Sequence, residues 1–455
     1  MELHLGSRRT LSGYTLIEAM VFLFLFALIS VVFVETYSVG TRLIIESKNR
    51  LGATALANQK MEIIRSIDYA AIGTTTGIPA GSLAESETIS VNTVKYTVHT
   101  FVQYVDDTFD GTSGGSGASK DTIPTDYKRV RITVSWGELG TDQTVVIFGN
   151  FSPKGVETSS GGGVLSINIL DGSGAGVSGA SVHIVNATSG INTTGTTDST
   201  GNLTLPGAPA GTQKYTLTVS KNGYYGATTF PPYPTTAYNP VDVHASVVAN
   251  VLNQKTMVMD RASDITLTTK DPFGTEIPNI GYTITGGRVL GTNPVTSATV
   301  YGFTQSGTTN ASGEANYADE SRGQYTVTIT NANYDLYKLS PESPVANGFT
   351  AIAGSAADIT AVLLDKSIGS LKITVQDQGS GNVLSGASVH VSNTTLGYDA
   401  TVNTDQYGIA YFPTSLPALS DGTYDIEVTM AGYSNASSTA SVNGALQTKT
   451  INMTP

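Results

Sequence analysis

Apolar and polar positions divide the chain into three regimes. From Tyr14 to Val34 the sequence YTLIEAMVFLFLFALISVVFV is apolar almost throughout, with Glu18 as its one charge. At ~1.5 Å per residue, a helix of that length crosses a ~30 Å hydrocarbon core. Over 35–68, Leu43, Ile44, Leu51, Ala55, Met61, Ile63, Ile64 and Ile67 recur at spacings of three and four among charges, with no proline. That period predicts one helix running on, in amphipathic form, to Asp68. Gly40 and Gly52 each lower helix propensity by ~1 kcal/mol and mark places for a bend. After Ile72 the period changes to two. Strands are predicted over 86–92, 93–105, 127–136 and 143–152, with clear alternation in KYTVHTFVQYV and YKRVRITVSW. A small antiparallel sheet packed on the second half of the helix gives an α+β head over 69–152, with Trp136 in its core.

The third regime repeats itself. Residues 153–163, PKGVETSSGGG, are polar, glycine-rich and aperiodic, and read as a linker. Beyond them the pattern recurs about every 100 residues. The first copy reads VLSINILD, GASVHI, TTDSTGNLTL and KYTLTVSKNGYY, and the last reads SLKITVQD, GASVHV, NTDQYGIAYF and TYDIEVTMAGY. A diverged middle copy reads DITLTTKD, IGYTI, TTNASGEANY and QYTVTITNANY, with an insertion over about 283–305. Short alternating strands with turn signals every 8–12 residues predict a β-sandwich per copy, over 164–260, 261–365 and 366–455. The expected fold is therefore multidomain: a long N-terminal α-helix with a small antiparallel-sheet head, then three tandem all-β, Ig-like sandwiches. Alternation turns His183 and His390 outward. Gly201, Gly313 and Gly408 stand where a turn calls for a left-handed residue, and Tyr215, Tyr325 and Tyr424 open strands as structural corner residues.

Composition narrows the chemistry. The chain has 455 residues, 24 Lys+Arg against 36 Asp+Glu, and no long basic run, so a sequence-independent grip on nucleic acid is not expected. With no cysteine there is no disulfide, thiolate metal site or cysteine nucleophile. The five histidines, His4, His99, His183, His244 and His390, form no ligand pair at helical spacing. No nucleophile elbow, P-loop or dinucleotide fingerprint stands in a strand–turn–helix context, so no enzyme is expected. Between the second and third head strands, Asp106, Asp107, Asp110, Asp121 and Asp126 surround a Gly/Ser-rich tip. Hard oxygen ligands at that density suit Ca²⁺, but their spacing matches no EF-hand, so a solvated, flexible loop without cofactor is the leading expectation and a Ca²⁺ site the alternative.

GYTLIEAM, Gly13 to Met20, follows a short segment carrying Arg8 and Arg9 and precedes the apolar run. It resembles the processing site of the type IV pilin and type II secretion pseudopilin family, with tyrosine in place of the usual phenylalanine after the cleavage point. The resemblance implies a leader over 1–13, cleavage after Gly13 and N-methylation of Tyr14 by a prepilin peptidase/methyltransferase. It also implies that the Glu18 carboxylate meets a neighbouring subunit's N-terminal amine during assembly. Physical logic agrees, because a carboxylate in lipid is tolerable only with a partner. ANQKMEIIRS, Ala57 to Ser66, resembles the helix end of minor pilins and pseudopilins. The repeats resemble carboxypeptidase regulatory-like, transthyretin-type domains and, more distantly, the Cna-B-type repeats of surface adhesins. The Lys–Asn crosslink that such repeats often carry is not expected: the first copy lacks the lysine, and Lys372 and Asn452 match it only by chance of position. Together these features imply a single-pass inner-membrane precursor that becomes an extracellular or periplasmic filament subunit. A minor pilin displaying a rod for adhesion to a protein or glycan is the leading expectation, and a minor pseudopilin of a secretion machine is the alternative.

Overall fold

The structure is a computed structural model that describes residues 16–116, 120–121, 123–137, 143–154, 161–341, 343, 345 and 347–455. It has one long helix followed by strands gathered into successive small sheets. The helix α1, Leu16–Arg65, has 50 residues and so runs ~75 Å. It gives way to a single 3₁₀ turn at Tyr69–Ala71. Ala53, Leu56, Ala57, Met61 and Ile64, at the three-and-four spacing, form its buried stripe.

That stripe packs on a four-stranded antiparallel meander: β1 Ser86–Val91, β2 Val94–Val105, β3 Tyr127–Trp136 and β4 Gln143–Phe151. The helix-side core holds Tyr96, Val98, Val102, Val130, Ile132, Val134 and Trp136. β2 starts one residue later than the pattern suggested, because Asn92 and Thr93 take φ of 49° and 70° in the two-residue turn after β1. Gly52 serves close packing rather than bending: a Cβ there would come within 2.5 Å of the Tyr96 hydroxyl, which donates to the Asn49 carbonyl at 3.1 Å.

Each sandwich pairs two sheets over its own core. In the first, Leu252–Val258, Gly163–Leu170 and Asn202–Ala208 form one sheet. The other contains Ala227–Thr228, Gly211–Ser220, Ser181–Asn186 and Ile191–Thr196, with Ala245–Val247 beside Gly211–Ser220. The repeat motifs are legible as physics. Thr197, Thr309 and Thr404 are buried, and their hydroxyls accept from the backbone N–H of Ala180, Ile280 and Ala387 at 2.9–3.0 Å. The next residue, Asp198, Asn310 or Asp405, accepts from the N–H groups two and four positions on. The turn closes at Gly201, Gly313 and Gly408, whose φ values of 82°, 72° and 69° favour glycine. Tyr215, Tyr325 and Tyr424 are fully buried and donate to the carbonyls of Pro209, Ser321 and Ser420 at 2.6, 2.6 and 2.9 Å, as corner residues do. His183 and His390 face outward, against Asn192 and Asp399.

Two features of the sandwiches differ from the sequence expectation. A closing strand follows the tyrosine strand in every copy and pairs in parallel with the opening one. The insertion of the middle copy is a long hairpin, Gly281–Thr292 with Thr299–Thr308, that widens one sheet. The register also separates Lys372 from Asn452: Lys372 lies opposite Thr448, and Asn452 lies opposite Gln376, whose amide donates to it at 2.8 Å.

The domains are joined by more than linkers. Ile78 and Phe101 of the head belong to the first sandwich's core. Beside them the Asn192 N–H donates to Thr76 O at 2.8 Å, the Thr76 hydroxyl returns to Asn192 O at 2.7 Å, and Thr194 N–H donates to the Glu85 carboxylate at 2.8 Å. Between the first and second sandwiches, Asn239–Pro240 adds as an edge strand to Gly291–Thr292. Gly291 permits this, since a Cβ there would stand 2.1 Å from the Asn239 carbonyl. Asp242 receives Arg288 at 2.8 Å across the same seam, and Lys255 of its own sandwich at 3.3 Å. At the last junction the Tyr407 hydroxyl donates to Ser343 O at 2.5 Å, and Tyr337 and Tyr411 lie 6.0 Å apart between ring centres.

Candidate assembly and cation sites

The first half of α1 buries nothing within the chain. Leu16, Ile17, Phe22, Phe24, Phe26, Phe33 and Tyr37 are among the apolar side chains it exposes on every side. Its few hydroxyls are neutralised locally: Ser30, Thr36 and Thr41 each donate to the carbonyl four residues back, at 2.7–2.8 Å. Back-bonding of this kind covers those three hydroxyls, as suits a lipid or helix-packed environment. The helix is long and apolar enough to cross a membrane. Glu18 falls in its opening turns; its carboxylate, together with Gly13 and Tyr14, lies outside the described residues.

The acidic loop is resolved into two classes. Asp106 directly follows β2 and Asp126 directly precedes β3, and the pairing of Val105 with Tyr127 sets them side by side. Asp121 joins them, and one carboxylate oxygen from each of the three lies within 4.8 Å of the others. One oxygen of each is committed locally. Asp106 accepts from the Ser113 N–H and hydroxyl at 2.9 and 2.7 Å, Asp121 accepts from Ile123 N–H at 2.8 Å, and Asp126 accepts from Asp107 N–H. The second oxygens, Asp106 Oδ1, Asp121 Oδ2 and Asp126 Oδ1, are shut off from solvent and have no partner. Burial, with the like charges of Asp110, Asp121 and Asp106, pushes the Asp126 carboxyl up to about 6. Asp107 and Asp110 stand outside this group, both exposed, with the Asp107 carboxylate capping Phe109 N–H at 3.1 Å. Three converging carboxylates, each with a buried oxygen that lacks a donor, are the chemistry of a hard-cation site, and Ca²⁺ takes such ligands at ~2.3–2.6 Å.

The sequence did not single out the residues that knit the head to the first sandwich, Thr76, Ile78, Glu85 and Phe101. Glu85 sits half-buried; burial pushes its carboxyl up, and the hydrogen bonds from His99, Thr194 and Thr76 outweigh this and hold it below the ordinary range. The one available signal was that Phe101 breaks the alternation of β2, being apolar on the face turned away from the helix.

Comparisons with known proteins bear on the repeats. The carboxypeptidase regulatory-like domain family matches residues 164–253 and 370–454, the first and third sandwiches and less than half of the chain. No curated protein matches the chain. Among solved structures, it is similar to the Bacillus anthracis TIE protein, at 16% identity over 81% of this chain and 73% of that one, with a TM-score of 0.20. A Streptococcal ancillary pilin aligns at 11% identity over 64% of this chain and 98% of its own, TM-score 0.19. The shaft pilin SpaA from Lactobacillus rhamnosus GG aligns at 15% identity over 43% and 98%, TM-score 0.17. Superpositions at that level carry no argument about role.

Proposed function

We propose that this chain is a minor type IV pilin-like filament subunit that displays a rod of three β-sandwiches for adhesion or surface interaction, and that it is not an enzyme. The observation that carries the reading is the division of α1: a bare apolar half, then an amphipathic half buried under a small antiparallel sheet. Bare apolar surface on all sides of a helix needs lipid before assembly and other subunits' helices afterwards. GYTLIEAM supports the same route, in which a prepilin peptidase cuts after Gly13 and the Glu18 carboxylate pairs with the amine of a neighbouring Tyr14. The rod distinguishes this subunit from one built for bulk packing, because its bulk lies beyond the head. Asp106, Asp121 and Asp126 would hold a calcium ion that pins the loop between β2 and β3.

The test is the mass of the N-terminal peptide of the cell-derived protein, combined with labelling of sheared filaments. The reading expects a peptide beginning at methylated Tyr14, label on filaments, and loss of that label in Glu18→Gln. An uncut Met1 peptide, or wild-type incorporation by Glu18→Gln, overturns it. Processed protein that never leaves the envelope points instead to a minor pseudopilin of a type II secretion machine.

A further inference from the structure

In each sandwich the first and last strands lie side by side and run parallel. Gly163–Leu170 pairs with Leu252–Val258 from Val164↔Leu252 to Leu170↔Val258. Ser263–Lys270 pairs with Ala357–Asp365 from Ile265↔Ala357 to Lys270↔Val362. Ser370–Asp377 pairs with Leu446–Met453 along its whole length, Ser370↔Leu446 to Asp377↔Met453. The chain enters each sandwich at the start of one such strand and leaves at the end of the other. Only residues 259–262 separate the first closing strand from the second opening strand, and only 366–369 separate the next pair.

We propose that the three sandwiches form a tension-bearing stalk, in which pull along the chain runs through these parallel strand pairs and loads each ladder in shear. Tension on the beginning of one strand and the end of its parallel neighbour acts along both strands. All ladder hydrogen bonds of the pair then stretch together, and none can open until the set fails. Antiparallel neighbours pulled from one end open a bond at a time, each bond adding only ~1 kcal/mol net. The remaining strands of each sandwich lie off the load path, so their edges and loops stay presented to a partner while the pair holds. The short connections prevent load from leaking into slack, and the Asn239–Pro240 strand addition with the Asp242–Arg288 ion pair stiffens the first seam. A Lys372–Asn452 crosslink takes no part, since the register keeps the two four positions apart. The inference rests on the anchored-subunit reading only for the source of the pull.

The chain contains no cysteine, so two introduced cysteines give unique handles for single-molecule force spectroscopy of the full chain in detergent. Lys154→Cys with Pro455→Cys pulls along the stalk. Ser388→Cys with Asn403→Cys, a facing antiparallel pair at the open end of its ladder, instead unzips the hairpin of residues 388–403 in the third sandwich. The expected traces from the first pair show three extensions of roughly 280–350 Å of contour, one per sandwich at ~3.4 Å per residue. Their rupture forces should be about twofold or more above that of the second pair, because forced unfolding follows the barrier of the bonds loaded together. A force ratio near one overturns the proposal. The ratio does not depend on filament assembly, so a strong stalk in a chain that never enters filaments would sink the functional reading and leave this one standing.

Discussion

Replacing Phe101 by alanine asks whether the head and the first sandwich share one core. The ring is 4% exposed and lies among the first sandwich's core residues, although it belongs to the head's β2. It sits on the face of β2 opposite Tyr96, Val98 and Val102, which pack under the helix. The Arg131 guanidinium stands 5.3 Å from the ring centre on the same face. Truncating a buried phenylalanine costs ~3–5 kcal/mol; a junction can relax, so ~3 kcal/mol is the working figure. With a urea slope of ~2 kcal/mol/M, the midpoint should fall by ~1–2 M.

Trp136 is the chain's one tryptophan and is buried in the head, so its fluorescence reports the head alone. Amide exchange over 181–208 reports the first sandwich. A shared core requires Phe101→Ala to lower the Trp136 transition and also to accelerate exchange over 181–208, by ~100-fold if the full ~3 kcal/mol is felt there. Val102→Ala, next along β2 but directed under the helix, should lower the first and leave the second unchanged. Unchanged exchange over 181–208 in Phe101→Ala would mean that the sandwich is indifferent to the head, and the joined core would have to be abandoned.

Three further outcomes follow from the same geometry. Calcium should raise the Trp136-monitored stability of the head by ~2.7 kcal/mol at a hundredfold excess over its dissociation constant, and Asp126→Asn should abolish the rise; a wild-type head indifferent to calcium and chelator removes the cation. Burial pushes the Lys128 ammonium down from 10.5 to about 8, while its Nζ donates to the carbonyls of Tyr69 and Ile72 at 2.7 and 2.6 Å. The folded head therefore binds this proton more weakly than the unfolded chain, so urea midpoints should climb with pH from about 8 towards 10, and Lys128→Met should flatten that slope. Gly291→Ala should dislodge the Asn239–Pro240 strand at ~1–3 kcal/mol, read as lost exchange protection at Val241, whose N–H donates to Leu290 O at 2.9 Å, with the second sandwich still folded.

The fold was legible wherever its cause is local. The three-and-four spacing announced an amphipathic helix but placed its stripe only in part, since Met61 and Ile64 are buried while Leu51, Ala55 and Ile63 are exposed and Ala53, Leu56 and Ala57 take the buried face; the alternation of β2 and β3 states which face is buried, and Thr-x-x-x-Gly carries its own turn. The closing strands were missed because their cause is distant. Leu252–Val258 has little alternation of its own, with Met257 as its one buried residue, and it becomes a strand by pairing with Gly163–Leu170 far back in the chain. The Asn239–Pro240 addition is two residues long and needs a glycine in another sandwich, so no window of sequence contains its reason.

The acidic loop shows where the boundary falls for a site. Five aspartates in one connection announce charge, but density alone does not say which carboxylates meet. Strand pairing does: the residues just outside the last paired positions of neighbouring antiparallel strands are held together. Val105 pairs with Tyr127, so Asp106 and Asp126 must converge, whatever path the loop takes. The carboxylates of Asp107 and Asp110 stay outside that group, and Asp121 returns through its backbone N–H to Thr112 O at 3.0 Å. A sequence reading that fixes the register first would have drawn two of the three converging carboxylates from the five; the third depends on a loop contact that only the folded chain supplies.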